Sequence, residues 1–119
     1  MILGVGIDVV DVDRFAATIA RTPALVQKVF TPGERERGTA SLAARFAAKE
    51  AALKALGLAG RGVGWRQIEV QSAPSGACAL VLHGEADAFA RQAGVAELAL
   101  SLSHEGDYAT AVVVGTSTR

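Results

Sequence analysis

The sequence predicts one α+β domain in which a small, mostly antiparallel sheet packs on a long helix. Three observations support this. Residues 2–10 and 108–114 are rich in Val and Ile, and residues 98–103 alternate strictly between Leu and a small residue, which are strand patterns. Clusters of Gly, Pro, Ser and Asp join short strands into hairpins. Residues 41–56 are dominated by Ala, Leu, Lys, Arg and Glu, with neither Pro nor a β-branched residue, so they favour helix.

The elements follow in chain order. Residues 2–10 form the first strand, and residues 12–21 a helix ended by Thr22-Pro23, because the residue before proline avoids helical backbone. Residues 24–29 form a second, short helix. Thr31-Pro32-Gly33-Glu34 reads as a helix start, with Thr31 as N-cap, Pro32 at the first helical position and Glu34 three residues after the cap. The long helix spans 41–56, and residues 57–65 form a glycine-rich loop. Residues 67–71 alternate as a half-buried strand, Ser72-Ala73-Pro74-Ser75-Gly76 turns, and 77–82 return as its partner. Residues 85–93 form a helix with Gly94 as C-cap. Strand 98–103 turns at Glu105-Gly106-Asp107 into the final strand, 108–114.

At 119 residues, half of them hydrophobic, residues 1–119 make a single domain with a real core and no linker or repeat. Twelve basic residues balance twelve acidic ones, which argues against a general nucleic-acid binder. The one cysteine, Cys78, excludes an internal disulfide and a cysteine-based zinc site. No apolar run approaches the roughly 20 residues of a membrane span. The N-terminus lacks the basic start of a signal peptide. A soluble cytoplasmic protein, bound to neither membrane nor nucleic acid, is expected.

Charges interrupt the apolar side of the long helix. At about 3.6 residues per turn, Leu42, Phe46, Leu53 and Leu56 share one arc, with Lys49 inside it and Glu50 at its edge beside Lys54. The back is alanine: Ala43, Ala44, Ala47, Ala48, Ala51, Ala52 and Ala55. A helix apolar nearly all round is buried, and a buried charge must be paired or bound. Two readings stand: a Glu50–Lys54 ion pair at i,i+4 with Lys49 snorkelling to water, or a binding site.

The first strand puts Gly4, Gly6 and Asp8 on one face, so Asp8 projects from a face without side chains. Glycines there mark close approach by a ligand or another backbone. Carboxylates from two elements, Asp8 and Glu50, suit Mg²⁺, which takes one or two protein carboxylates and leaves room for water and substrate phosphate. Arg45, Lys49 and Lys54 beside such a metal match a polyphosphate. His104 ends a strand before a turn, where it serves as a structural hydrogen-bonder or donates a hydrogen bond to a phosphate; His83 reads as structural. Arg14 and Arg21, seven apart on one helix face and extended by Lys28, form either an ordinary solvated face or a strip that docks an acidic partner. The glycine loop lacks the Lys-Ser/Thr ending of a P-loop and follows a helix.

Gly6-Ile7-Asp8, Phe30-Thr31 followed by Glu34, Arg45-Phe46-Ala47-Ala48-Lys49-Glu50-Ala51 with Lys54 and Gly57, and Ser101-Leu102-Ser103-His104 with Tyr108-Ala109 together carry a resemblance. In that combination the sequence resembles the holo-acyl carrier protein synthases, small bacterial 4′-phosphopantetheinyl transferases, over essentially its whole length. The resemblance implies that fold, assembled as a homotrimer with sites at subunit interfaces. It implies transfer of the 4′-phosphopantetheine arm of coenzyme A to a serine of apo acyl carrier protein, for fatty acid biosynthesis, with adenosine 3′,5′-bisphosphate as by-product.

It further implies that Asp8 and Glu50 bind Mg²⁺ and that Lys54 sits on the coenzyme A pyrophosphate. Arg45, Lys49 and His104 are implied to contact other phosphate or adenylate groups, and Arg14 and Arg21 to meet the acidic helix of the carrier protein. The catalytic set is Asp8, Glu50 and Lys54, the proton acceptor being Glu50 or a metal-bound water beside Asp8. One departure stands out: a turn that often reads Gly-Lys-Pro in the family is Gly76-Ala77-Cys78 here, leaving Gly76 a weak coenzyme A contact. The competing functions are a transferase for polyketide or peptide synthetase carriers, a non-catalytic nucleotide-phosphate binder, and a structural trimer.

Overall fold

A computed structural model of the protein describes residues 1–117. The elements are β1 (Ile2–Asp11), α1 (Val12–Arg21), α2 (Ala24–Val29), α3 (Thr39–Leu56), β2 (Ile68–Ser72), β3 (Cys78–Leu82), α4 (Gly84–Gln92), β4 (Glu97–Glu105) and β5 (Tyr108–Thr116). A single 3-10 turn, Trp65–Gln67, leads into β2. Strands β1, β5 and β4 form a three-stranded antiparallel sheet in that order, while β2 and β3 pair as a separate antiparallel hairpin. Among the described residues the α+β class and the antiparallel pairing agree with expectation.

Helix α3 packs across β1 and β5 and fills the middle of the molecule. It has no single apolar face, and Ala43, Ala47, Ala48, Ala51 and Ala52 are completely buried. Gly4 and Gly6 receive it. A Cβ on Gly4 would stand 2.0 Å from the Ala55 carbonyl oxygen, and one on Gly6 1.8 Å from that of Ala51. The face of β1 without side chains is therefore filled by the α3 backbone, which settles the choice between ligand and backbone. Ala111 and Val113 on β5 complete the same floor, both fully buried. The opposite sheet face carries Leu3, Val5, Ile7 and Val9 from β1 and Tyr108 from β5, all exposed.

One expected helix start is a turn. Residues 32–36 form turns, although half of the capping box is made: the Thr31 amide donates to Glu34 Oε1 at 2.9 Å. The Thr31 hydroxyl does not cap; it donates to Glu69 Oε2 at 2.7 Å, across to β2. A tertiary contact has taken the group that would have nucleated the helix.

Candidate active site

Asp8 stands where β1 meets the C-terminal half of α3. The alternation of β1 aims it to the α3 side of the sheet, where it pairs in register with the buried Ala111. Lys54, near the end of α3, donates to the Ile7 carbonyl at 2.9 Å and lies 3.4 Å from Asp8 Oδ1. Of the two readings of these charges, the Glu50–Lys54 ion pair is not formed; Lys54 instead bridges from α3 to β1, with both partners accessible: Asp8 is 20% and Lys54 46% exposed. Glu50, one turn earlier on the same helix, lines the same cleft as Asp8. Burial raises the Glu50 carboxyl above its ordinary range; the charge of Asp8 raises it further, and Lys54 opposes both.

That cleft has a volume of about 790 Å³. Its polar end holds Asp8, Glu50, Asp11 and Arg14; its apolar walls come from α1, α2, Phe46 and Trp65. Phe46 packs on Trp65 with centroids 5.2 Å apart and on Phe15 at 5.7 Å, and Phe15 meets Phe30 edge-on at 6.3 Å. Asp11 Oδ1 accepts from the Arg14 amide at 3.1 Å, starting α1 at the mouth of the cleft. Arg14 and Arg21 are both exposed on α1, and Arg14 is the one that lines the cleft.

Lys49 does not reach this cleft, and the expectation that it contacts phosphate or adenylate is corrected. Its side chain is fully buried, and its ammonium donates to Glu34 Oε1 at 2.8 Å, the Ile68 carbonyl at 2.5 Å and the Trp65 carbonyl at 3.2 Å. It does not snorkel either. Three acceptors use its three protons. Burial lowers its pKa, while the hydrogen bond and charge of Glu34 oppose that shift.

Arg45 builds a second cleft, of about 690 Å³, with Arg37, Ser41, Ser72, Gly76 and Cys78 among its walls. Its Nη1 donates to Ser41 Oγ at 2.5 Å and its Nη2 to Ser72 Oγ at 2.7 Å. Its Nε is buried with no acceptor among the described residues. Burial and the charge of Arg37 both push the guanidinium pKa down. Two crowded cations and one unanswered donor are the features of an anion site. Gly76 sits at the rim, in the β2–β3 turn with φ +90°, a conformation that favours glycine. Cys78, expected as a core residue, is half-buried in this wall, its Sγ 3.5 Å from Ser72 Oγ. His104 is exposed on β4, on a row with Ala109 and Val10, two strands away from Asp8.

A family profile described as the 4′-phosphopantetheinyl transferase superfamily matches residues 4–113, nearly the whole chain. The chain belongs to the 4′-phosphopantetheinyl transferase superfamily. Among relatives within it, a protein named holo-[acyl-carrier-protein] synthase from Beutenbergia cavernae is 51% identical, covering 96% of this chain and 97% of its own. Another of that name, from Frankia alni, is 49% identical over 98% of each. A solved structure described as a "Chronobacterium ammoniagenes ACPS-CoA complex" superposes with a TM-score of 0.83 at 39% identity, covering 98% of both chains. The holo-[acyl-carrier-protein] synthase of Helicobacter pylori in complex with coenzyme A gives 0.83 at 28%, covering 94% of this chain and 99% of its own.

Within this transferase fold, sequence reasoning missed the partners that make each charge useful. Arg37, Ser41 and Ser72 line the Arg45 cleft from three separate segments, a convergence with no sequence spacing to reveal it. Glu34 was legible only as a cap, yet it holds Lys49. His83, read as structural, contacts Glu69 at 3.0 Å. Burial tends to raise the Glu69 carboxyl, but hydrogen bonds from Thr31, His83 and Gln71 outweigh it and leave the pKa lowered.

Proposed function

We propose that this protein transfers the 4′-phosphopantetheine arm of coenzyme A to a serine hydroxyl of an apo acyl carrier protein, as a cytoplasmic enzyme of fatty acid biosynthesis. The observation that carries the reading is the acid pair Asp8 and Glu50, brought from β1 and α3 into one cleft, with Lys54 3.4 Å from Asp8. Relatives near half identity over almost their full length are named holo-[acyl-carrier-protein] synthases, and similar structures contain coenzyme A.

Asp8 and Glu50 fit a Mg²⁺ ion: two carboxylates from different elements whose mutual repulsion a cation would relieve, with open cleft beside them. No larger cluster of metal-ligating side chains occurs among the described residues, so substrate phosphate and water would complete the shell. When bound, the ion neutralises charge on the coenzyme A pyrophosphate. Lys54 holds the same pyrophosphate and stabilises the leaving phosphate oxygen. The serine oxygen bonds to the phosphorus of the phosphopantetheine, the phosphoanhydride bond breaks, and adenosine 3′,5′-bisphosphate leaves. Glu50, or a water held beside Asp8, accepts the serine proton.

Arg45 and Arg37, with Gly76 at the rim, take a phosphate of the adenylate end. Arg14 and Arg21 dock the acidic helix of the carrier protein, with Arg14 guiding its serine to the cleft. The chain forms a homotrimer through the exposed apolar face of its sheet, and His104, far from the acid pair of its own chain, serves the coenzyme A site of a neighbouring copy. No described helix is long and apolar enough to cross a membrane.

Mass spectrometry of apo acyl carrier protein incubated with coenzyme A, Mg²⁺ and this protein is the direct test. The carrier should gain the mass of one phosphopantetheine arm. An unchanged carrier, beside an active control transferase, refutes the activity.

A further inference from the structure

The buried pair Glu34–Lys49 lies outside the chemistry just described, yet it makes more hydrogen bonds than any other ion pair among the described residues. Lys49 immediately precedes Glu50 on α3, and its ammonium is pinned by oxygens of Glu34, Trp65 and Ile68. Glu34 in turn accepts from the Thr31 amide at 2.9 Å and, through its other oxygen, from the Val70 amide at 2.9 Å. Both side chains are at most 1% exposed. One ion pair therefore ties α3 to the 31–37 turn, to the segment entering β2, and to β2 itself.

Replacing such a pair by well-packed apolar groups is often neutral or stabilising, so stability alone does not explain it. Its position does. The α3 face against β1 and β5 is alanine, which packs closely but offers few ridges to fix rotation or sliding along the axis, and Lys49 holds the helix from the other side, among Leu42, Phe46 and Leu53. Lys49 supplies a directional pin one residue from Glu50. The same pin holds the Trp65 carbonyl, and the Trp65 ring packs on Phe46; both aromatics wall the cleft that contains Glu50.

We propose that Glu34 and Lys49 are positioning residues for the acid pair: their buried ion pair sets the height of Glu50 over Asp8 and the distance to the aromatic wall. This rests on the reading of Asp8 and Glu50 as the reacting centre. The parent protein's own Mg²⁺-dependent transfer tests that reading, and the ratio of variant to parent tests this one.

The experiment uses the charge-free double variant Glu34→Gln/Lys49→Met in the full chain, with folding followed by circular dichroism. A displacement of about 1 Å at a reacting centre costs up to ~100-fold, so kcat should fall at least ~30-fold. KM for coenzyme A should rise less than kcat falls, because Arg45 keeps its own anchors at Ser41 and Ser72. In the metal-free variant, emission from Trp65, the only tryptophan, should shift to the red as its anchor loosens. A folded double variant with kcat within ~3-fold of the parent and unshifted emission overturns the proposal. So does a loss of activity that only tracks a reduced folded fraction. If the double variant does not fold, Glu34→Gln, which keeps every heavy-atom position, decides by the same split between kcat and KM.

Discussion

Glu50 is a costly residue in the metal-free protein. Burial disfavours its charged form, Asp8 adds repulsion, and Lys54 relieves only part of it, so its pKa in the folded chain lies above the ordinary carboxylate value. The folded state then binds this proton more tightly than the unfolded one. That contribution favours folding below the unfolded pKa and is lost as pH rises through the raised folded value. Glu50→Gln should therefore raise the metal-free melting temperature at pH 7 by roughly 1–4 °C while abolishing transfer, a stability–activity trade-off. The gain should vanish below about pH 4, where the parent carboxyl is also neutral. Mg²⁺ should raise the melting temperature of the parent and not of the variant. Scanning calorimetry with and without Mg²⁺ checks all of this; a variant less stable than the parent at pH 7 contradicts it.

The same residue shows where sequence reading stops. Lys49 and Glu50 are adjacent, and both were read as facing one ligand. Successive helical residues point about 100° apart, so one enters the cleft and the other turns into the core. Which is which depends on the partner of Lys49, and Glu34 lies fifteen residues away behind a turn. Residue type announced that chemistry was present; only packing assigned it.

Among elements, the contact that matters most is β1 against α3. Gly6 lets the Ala51 carbonyl approach so closely that a Cβ would stand 1.8 Å from its oxygen, and that obstacle is backbone, which cannot rotate away. Gly6→Ala must push α3 off the sheet and carry Glu50 and Lys54 away from Asp8. We expect a loss of about 3 kcal/mol or more, against about 1 kcal/mol or less for Gly38→Ala, at the N-cap of α3 with nothing within 4 Å. Urea unfolding measures both, and equal midpoints for the two variants would remove the close-packing argument. The hairpins β2–β3 and β4–β5 were legible because turn residues and alternation are local signals. The pairing of β1 with β5 was not, since it joins Ile2 to Thr116 and nothing local encodes it. The helix start at Thr31 failed for the same reason: Glu69, on a distant strand, captured the hydroxyl.

At the scale of the whole molecule, the sheet is covered by α3 on one side and bare on the other. An antiparallel sheet with a solvated face normally alternates apolar in and polar out. Here β1 reverses the rule: its inward positions are glycine, glycine and aspartate, while Leu3, Val5, Ile7 and Val9 point away from the helix and are 43–58% exposed. Val112 and Val114 on β5 continue this face next to them. A patch of this composition marks an interface, and in the proposed homotrimer a closed ring of copies would cover it. The parent should therefore run in solution at three times its 12.2 kDa chain mass. Val5 and Val114 are direct cross-strand partners. Val5→Asp with Val114→Lys places opposite charges face to face, which favours the strand pairing within one chain while making the patch unfit for apolar contact. This variant should be a folded monomer with native circular dichroism and transfer reduced at least ~100-fold, since each site would lose its neighbour's contribution. A variant that still sediments as the parent does would show that the bare face is not the interface. A monomer with full activity would show that one chain suffices for the site.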